Sequence, residues 1–123
     1  MATILLVDDD ELFRITVEQM LLKLGHGVVA ASNGKEALRI YDCRTTQIVL
    51  TDLIMPDMEG LELIRELRQR DPYLKLIAMS GGGRNSADVY LPIAQTLGAV
   101  QTLVKPFSIE QLAASIQAIL EPA

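Results

Sequence analysis

Short apolar runs alternate along the chain with longer stretches in which hydrophobic residues recur every three or four positions. Residues 3–7 (TILLV), 48–50 (IVL), 76–79 (LIAM) and 100–104 (VQTLV) are brief and mostly apolar, as strands covered on both faces are. A weaker run from Val28 to Ala31 supplies a fifth strand. Phe13, Val17, Met20 and Leu24 are spaced by four, three and four, which puts them on one face of a helix. Leu61, Ile64 and Leu67 repeat that spacing, and so do Ile109, Leu112, Ile116 and Ile119. Ala37, Leu38 and Tyr41 mark a shorter helix after the turn signal Ser32-Asn33-Gly34. A further helix is expected between the fourth and fifth strands. Pro92 falls inside it and removes an interior hydrogen bond, so it should be short, late-starting or distorted, with Asp88 a candidate cap. Five strands alternating with five helices imply an α/β fold: a parallel, doubly wound (βα)5 sheet with helices on both sides, three layers in all.

In doubly wound sheets ligands bind beyond the carboxyl ends of the strands. The residues that follow each apolar run are therefore the ones to inspect. The first strand ends in Asp8-Asp9-Asp10, the third in Thr51-Asp52, the fourth in Ser80-Gly81-Gly82-Gly83 and the fifth in Lys105-Pro106. The second ends only in Ser32 and Asn33. Carboxylates, a hydroxyl and an ammonium thus converge on one edge of the sheet. Carboxylates crowded together repel unless a cation neutralises them. Magnesium is a hard ion that prefers oxygen ligands, commonly one or two carboxylates plus waters and phosphate oxygens. A carboxylate can attack phosphorus to give an aspartyl phosphate, and a metal, a lysine and a hydroxyl can stabilise the charge that develops on the phosphoryl oxygens. Asp52, alone at the end of a central strand, is the best nucleophile. Asp8 and Asp9 read as metal ligands, Lys105 and Ser80 as partners of phosphate oxygens, and Asp10 as the cap of the helix that starts near Glu11.

Each of these residues has an ordinary structural role open to it. Asp52 to Gly60 could be only a turn, Lys105 a solvated charge, and Ser80 a loop hydroxyl. Their joint placement at the ends of alternating strands is what favours chemistry.

Composition narrows the field. The 123 residues suit one domain spanning 1–123, and a hydrophobic fraction of 50% is enough for a core. A net charge of −5 argues against a nucleic-acid footprint. No apolar run approaches the ~20 residues a spanning helix needs, and no basic stretch leads an apolar N-terminus, so neither a membrane span nor a leader is expected. The one cysteine, Cys43, cannot form an internal disulfide, which suits a reducing cytoplasm. Its expected role is that of a small buried or half-buried hydrophobe.

The stretches ILLVDDDELFR (4–14), VLTDLIMPDMEGLEL (49–63), IAMSGG (77–82) and LVKPFS (103–108) resemble the signature segments of response-regulator receiver domains, and LGHGVVAASNGKEAL (24–38) extends the likeness. The resemblance implies a flavodoxin-like sheet in the order 2-1-3-4-5. It makes Asp52 the phosphorylated aspartate and Asp8 and Asp9 the acidic pair. Mg2+ would then be held by Asp8, Asp9, Asp52 and the backbone carbonyl of Ile54. It further implies that Ser80 is the switch hydroxyl, that Lys105 contacts the phosphoryl group, and that the Lys105–Pro106 bond is cis. The implied donor is a phosphohistidine on a sensor histidine kinase or histidine phosphotransfer protein, and the output is a downstream protein target rather than direct DNA binding. The implied role is that of a regulator, not a turnover enzyme. His26 is no phosphodonor on this view, because it lies in the surface turn between the first helix and second strand, far from Asp52.

The sequence departs from the family pattern where the signal leaves the domain. Thr102 occupies the position three before the lysine, where the family commonly has Tyr or Phe, so an aromatic-gated switch is not expected. The segment from Ser80 to Lys105 is a few residues longer than usual and contains Gly81, Gly82 and Gly83. Two other function classes compete. One is a phosphorylation-independent interaction module on the same fold. The other is a haloacid-dehalogenase-type phosphatase, suggested by Asp8-x-Asp10 but opposed by Leu12 in the hydroxyl or valine position, by the lack of an acidic pair after Lys105, and by the lack of room for a cap domain.

Overall fold

The computed structural model describes residues 2–53, 60–81, 96, 98–99 and 101–120. The strands are β1 (Thr3–Val7), β2 (Gly27–Ala31), β3 (Ile48–Asp52), β4 (Lys75–Ser80) and β5 (Gln101–Val104). The helices within the described residues are α1 (Glu11–Lys23), α2 (Gly34–Ile40), α3 (Gly60–Arg70) and α4 (Ile109–Leu120). The strands form one sheet in the order β2-β1-β3-β4-β5, and every neighbouring pair is parallel. This is the doubly wound, flavodoxin-like arrangement expected from the sequence. Of the anticipated helix between β4 and β5 only Thr96 is among the described residues, and it is helical; Pro92 and Asp88 lie outside them, as do Ile54, Gly82 and Gly83.

Alternation along the central strands sends side chains to two cores. Leu5, Val7 and Val49 pack with Ala37, Leu63, Ile64 and Leu67 of α2 and α3. Ile4, Leu6, Ile48, Leu50, Ile77 and Met79 pack on the other face with Val17, Leu21, Leu112 and Ile116 of α1 and α4. Each fully buried large side chain is worth about 1.5–3 kcal/mol relative to exposure, so β1, β3 and β4, covered on both faces, form the buried centre of the sheet.

Local signals set the helix boundaries. The Asp10 carboxylate accepts the Phe13 N–H and starts α1. Gly25, at φ 92°, takes the left-handed conformation that ends it. Asn33 accepts the Glu36 N–H, and Glu36 reaches back to the Ser32 N–H. Ser108 and Gln111 form a reciprocal capping box at the start of α4.

The strands β3 and β4 run through the polar ends expected of them, Thr51-Asp52 and Ser80, where pairing of Thr51 with Ala78 and of Ser80 with Val104 continues the ladder. One sequence reading changes. Cys43 is exposed, not buried or half-buried. It sits in the turn after α2, where the Asp42 carboxylate accepts the Arg44 N–H and the Asp42 carbonyl accepts that of Thr46, a tight loop standing off the core.

Candidate functional site

Register decides what meets at the carboxyl edge. Val7 pairs with Thr51 and Asp52 with Met79, so the residues just after β1 and at the ends of β3 and β4 lie side by side. Asp8 extends β1 by donating its N–H to the Ala31 carbonyl, and it is 0% exposed. Its Oδ1 accepts the Asp10 N–H at 2.9 Å and its Oδ2 accepts Lys105 Nζ at 2.6 Å. Asp52, 7% exposed, has Oδ1 accepting the Leu53 N–H at 2.9 Å and Oδ2 3.2 Å from the same ammonium. Asp9 is exposed beside them. Oxygen atoms of Asp8, Asp9 and Asp52 lie within 4.8 Å of one another, a cluster able to coordinate a metal ion.

Lys105 reaches this cluster from just beyond β5, with its side chain 15% exposed and the Lys105–Pro106 bond cis, as expected. Its backbone N–H donates to the Ser80 carbonyl at 2.8 Å, tying the ends of β4 and β5 together. Ser80 is at the same edge and buried, but its hydroxyl donates to the Gly81 carbonyl at 3.3 Å and not to the carboxylates. Burial raises the pKa of Asp52 above the usual carboxylate value; the Lys105 ammonium opposes that shift and the Asp8 charge adds to it. Among the described residues the Lys105 ammonium is paired with two of the three carboxylates, Asp8 and Asp52, and the Arg14 guanidinium reaches the Asp8 backbone carbonyl rather than a carboxylate, so the acids outnumber the cations paired with them.

The profile of the response regulator receiver domain matches residues 4–117. The chain belongs to this family. Chemotaxis protein CheY of Bacillus subtilis (strain 168) is 33% identical over 118 residues, covering 95% of this chain and 96% of that one. Sensor kinase CckA of Brucella abortus (strain 2308) is 38% identical over 122 residues, covering 98% of this chain but 13% of that protein. A response regulator receiver domain protein from Clostridium thermocellum matches with a TM-score of 0.90 at 29% identity, covering 98% of this chain and 94% of that one. Response regulator protein TrrA of Thermotoga maritima, in complex with Mg(2+)-BeF, gives 0.85 at 28%, covering 98% and 100%. This receiver domain spans 13%, 24% and 44% of the first three curated relatives it matches.

Four residues of the site escaped the sequence reading. Gly60 opens α3 directly against the Asp52–Leu53 backbone: a Cβ there would overlap the Asp52 carbonyl oxygen and come within 2.5 Å of Leu53 Cα. Its N–H donates to the Leu53 carbonyl at 2.7 Å, so the missing side chain is what brings the helix up to the strand end. Buried Thr51 donates its hydroxyl to the Asp52 carbonyl at 2.9 Å. Arg14 donates to the Asp8 carbonyl at 2.9 Å. Phe13, read only as one of a helix's core-facing residues, places its ring 4.5 Å from Lys105 Nζ. Glycine before a helical run was the one available signal; the others are common residue types whose contacts depend on register. His26 precedes β2, at the opposite end of the sheet, and is half-buried, its Nδ1 accepting the Ala2 N–H at 3.1 Å. Thr102 is half-buried on β5, paired with Ala78.

Proposed function

We propose that this receiver domain is a phosphoacceptor switch of a two-component or phosphorelay system, in which Asp52 accepts a phosphoryl group from a phosphohistidine. The strongest support is Lys105, whose ammonium stands between the buried carboxylates of Asp8 and Asp52 at 2.6 and 3.2 Å. An ion pair kept only for stability has no need of two acids on one lysine at an open sheet edge.

An Asp52 carboxylate oxygen attacks phosphorus while the bond from phosphorus to the imidazole nitrogen breaks. The departing nitrogen keeps the electron pair and takes up a proton. Oδ1 is fixed by the Leu53 N–H, which orients the carboxylate before the donor arrives. Lys105 meets the charge that develops on the phosphoryl oxygens, and the Ser80 hydroxyl turns from the Gly81 carbonyl to donate to one of them. Asp8, Asp9 and Asp52 form an all-oxygen donor set that suits Mg2+, with the Ile54 carbonyl, outside the described residues, as a further ligand. The Thermotoga maritima relative in complex with Mg(2+)-BeF supports that choice of ion. Bound there, magnesium supplies neutralising charge to the phosphoryl oxygens.

On this reading the whole of residues 1–123 is one receiver domain and a regulator rather than a turnover enzyme. It works in the cytoplasm, with a histidine kinase or phosphotransfer protein upstream and a protein target downstream. Among the described residues no helix is long and apolar enough to cross a membrane.

Incubation with a small acyl phosphate and magnesium, followed by intact-mass measurement, tests the assignment. The wild type should gain one phosphoryl group, and neither Asp52→Asn nor the chelated wild type should gain any. Equal labelling of wild type and Asp52→Asn would remove Asp52 from the mechanism.

A further inference from the structure

Lys105 has a third partner, and it is not a carboxylate. The Phe13 ring lies 4.5 Å from Nζ, within the range in which an ammonium is attracted to the negative face of a ring. Phe13 is in turn braced by Phe107: the two rings meet edge to face, 5.6 Å apart at 87°. Phe107 is buried and lies two residues beyond Lys105. The backbone of Phe13 is fixed by the Asp10 cap. One short stretch, Asp8 to Phe13, therefore supplies two acids of the cluster, the helix cap and the aromatic surface behind the lysine.

We infer that Phe13 is a positioning residue for Lys105, its ring holding the ammonium at the mouth of the site while the carboxylates change partners. The inference rests on the phosphoacceptor reading above. In the structure as it stands, Asp8 and Asp52 hold the lysine. Both are also the groups the chemistry recruits: Asp8 toward a metal ion, Asp52 into an acyl phosphate that no longer carries its carboxylate charge. Each event weakens an ion pair that restrains Lys105. The ring face takes part in neither event. It keeps the ammonium within reach of the phosphoryl oxygens and limits the conformations open to a long, flexible side chain. Substituting an aliphatic residue keeps the apolar packing of this part of α1 on the core and removes the attraction.

The test has two arms. In wild-type protein, the ring current of Phe13 should shift the Lys105 ε-methylene protons upfield of those of Lys23, Lys35 and Lys75, with assignment by their loss in Lys105→Met. Lys105 ε-protons that coincide with those of the other lysines would overturn the inference without any variant of Phe13. In the second arm, Phe13→Leu should slow labelling by acyl phosphate at saturating magnesium by roughly three- to thirtyfold, the range of cation–π strengths from exposed to desolvated sites. Phe13→Tyr, which keeps the ring, should restore the rate. In a Lys105→Met background Phe13→Leu should have no further effect, and an equal fall in both backgrounds would overturn the proposal. Failure of the phosphoacceptor reading gives a different result: a wild type that is not labelled, or an Asp52→Asn variant that is. An unchanged Phe13→Leu rate beside a labelled wild type condemns only the role of Phe13.

Discussion

Replacing Lys105 with methionine should destabilise the metal-free protein, and magnesium should reverse much of the loss. Methionine keeps the length of the side chain and its contact with the Phe13 ring, so the change is chiefly one of charge. Removing one partner of a buried ion pair typically costs about 3–5 kcal/mol, because the other charge is left desolvated. Here two acids lose their cation, Asp8 fully buried and Asp52 nearly so. Two features reduce the cost. The lysine side chain is 15% exposed beside exposed Asp9, so water can reach the vacated space. Asp52, whose pKa is already raised by burial, can also take up a proton. Together these bring the expected loss to about 2–3 kcal/mol, or a fall in Tm of roughly 6–15 °C for a domain of this size. Thermal unfolding at pH 7 in the presence of a chelator measures it. Added magnesium should then stabilise Lys105→Met more than wild type, since a cation that binds only the folded state stabilises by RT ln(1 + [L]/Kd) and no longer competes with an ammonium. Equal Tm values in chelator would show that Lys105 does not neutralise the cluster. A loss unchanged by magnesium would show that the carboxylates do not hold the ion.

Asp52→Asn should make the metal-free protein more stable at pH 7. Burial raises the folded pKa of Asp52 above its unfolded value, so ionisation carries a folding penalty that appears as pH rises through the folded value, and the amide escapes it; a lower urea midpoint than wild type at pH 7 would contradict this. Gly60→Ala should cost about 1–3 kcal/mol, because α3 must move away from the Asp52–Leu53 backbone. It should also slow self-labelling, and an unchanged urea midpoint would refute the close approach. The pKa of His26 is lowered from 6.5 by partial burial. Its contribution to stability is therefore present above pH 6.5 and lost as pH falls through the folded value. The urea midpoint should drop between pH 7.5 and 5.5 less steeply in His26→Gln than in wild type, and parallel profiles would rule His26 out.

Much of the fold could be read from the sequence because its two periodicities are clean. β1 matches the run TILLV residue for residue, and the apolar spacing of α1 and α4 points at the core they fill. Strand ends had to be read from the polar residues after each apolar run: the apolar residues stop at Leu50, and β3 continues through Thr51, paired with Val7 and Ala78, to Asp52, paired with Met79. The acids and Lys105 were legible as a set, since each follows a strand and a parallel sheet gathers such residues at one edge. The contacts of Phe13, Arg14 and Gly60 were not. They depend on which residue of a helix's first turn faces the strand end, a matter of one residue's rotation that hydrophobic spacing leaves open. The exposure of Cys43 was missed for a related reason: its residue type favours burial, but the turn built on Asp42 holds it outside.

The charge arrangement suggests why the site sits at the junction of β1, β3 and β5 rather than anywhere else along the edge. Central strands can bury a polar side chain deeply, and Asp8 and Asp52 lie at the ends of β1 and β3, neighbouring strands that, like β4, are covered on both faces and paired on both sides. Lys105 comes from the edge strand, where a long side chain can cross to them without displacing core. A cluster with three acids and one ammonium is held below full neutrality by that geometry. On the proposed function this deficit is what favours cation uptake, and Lys105, bound to both acids and to the Phe13 ring, is the group whose allegiance must change when the phosphoryl group arrives. Asp9→Lys, which removes one proposed magnesium ligand and sets a second ammonium beside Asp8 and Asp52, should therefore stabilise the fold and abolish magnesium-dependent labelling together. If Asp9→Lys gained stability but still labelled with the same dependence on magnesium, the deficit of charge would have no part in the chemistry.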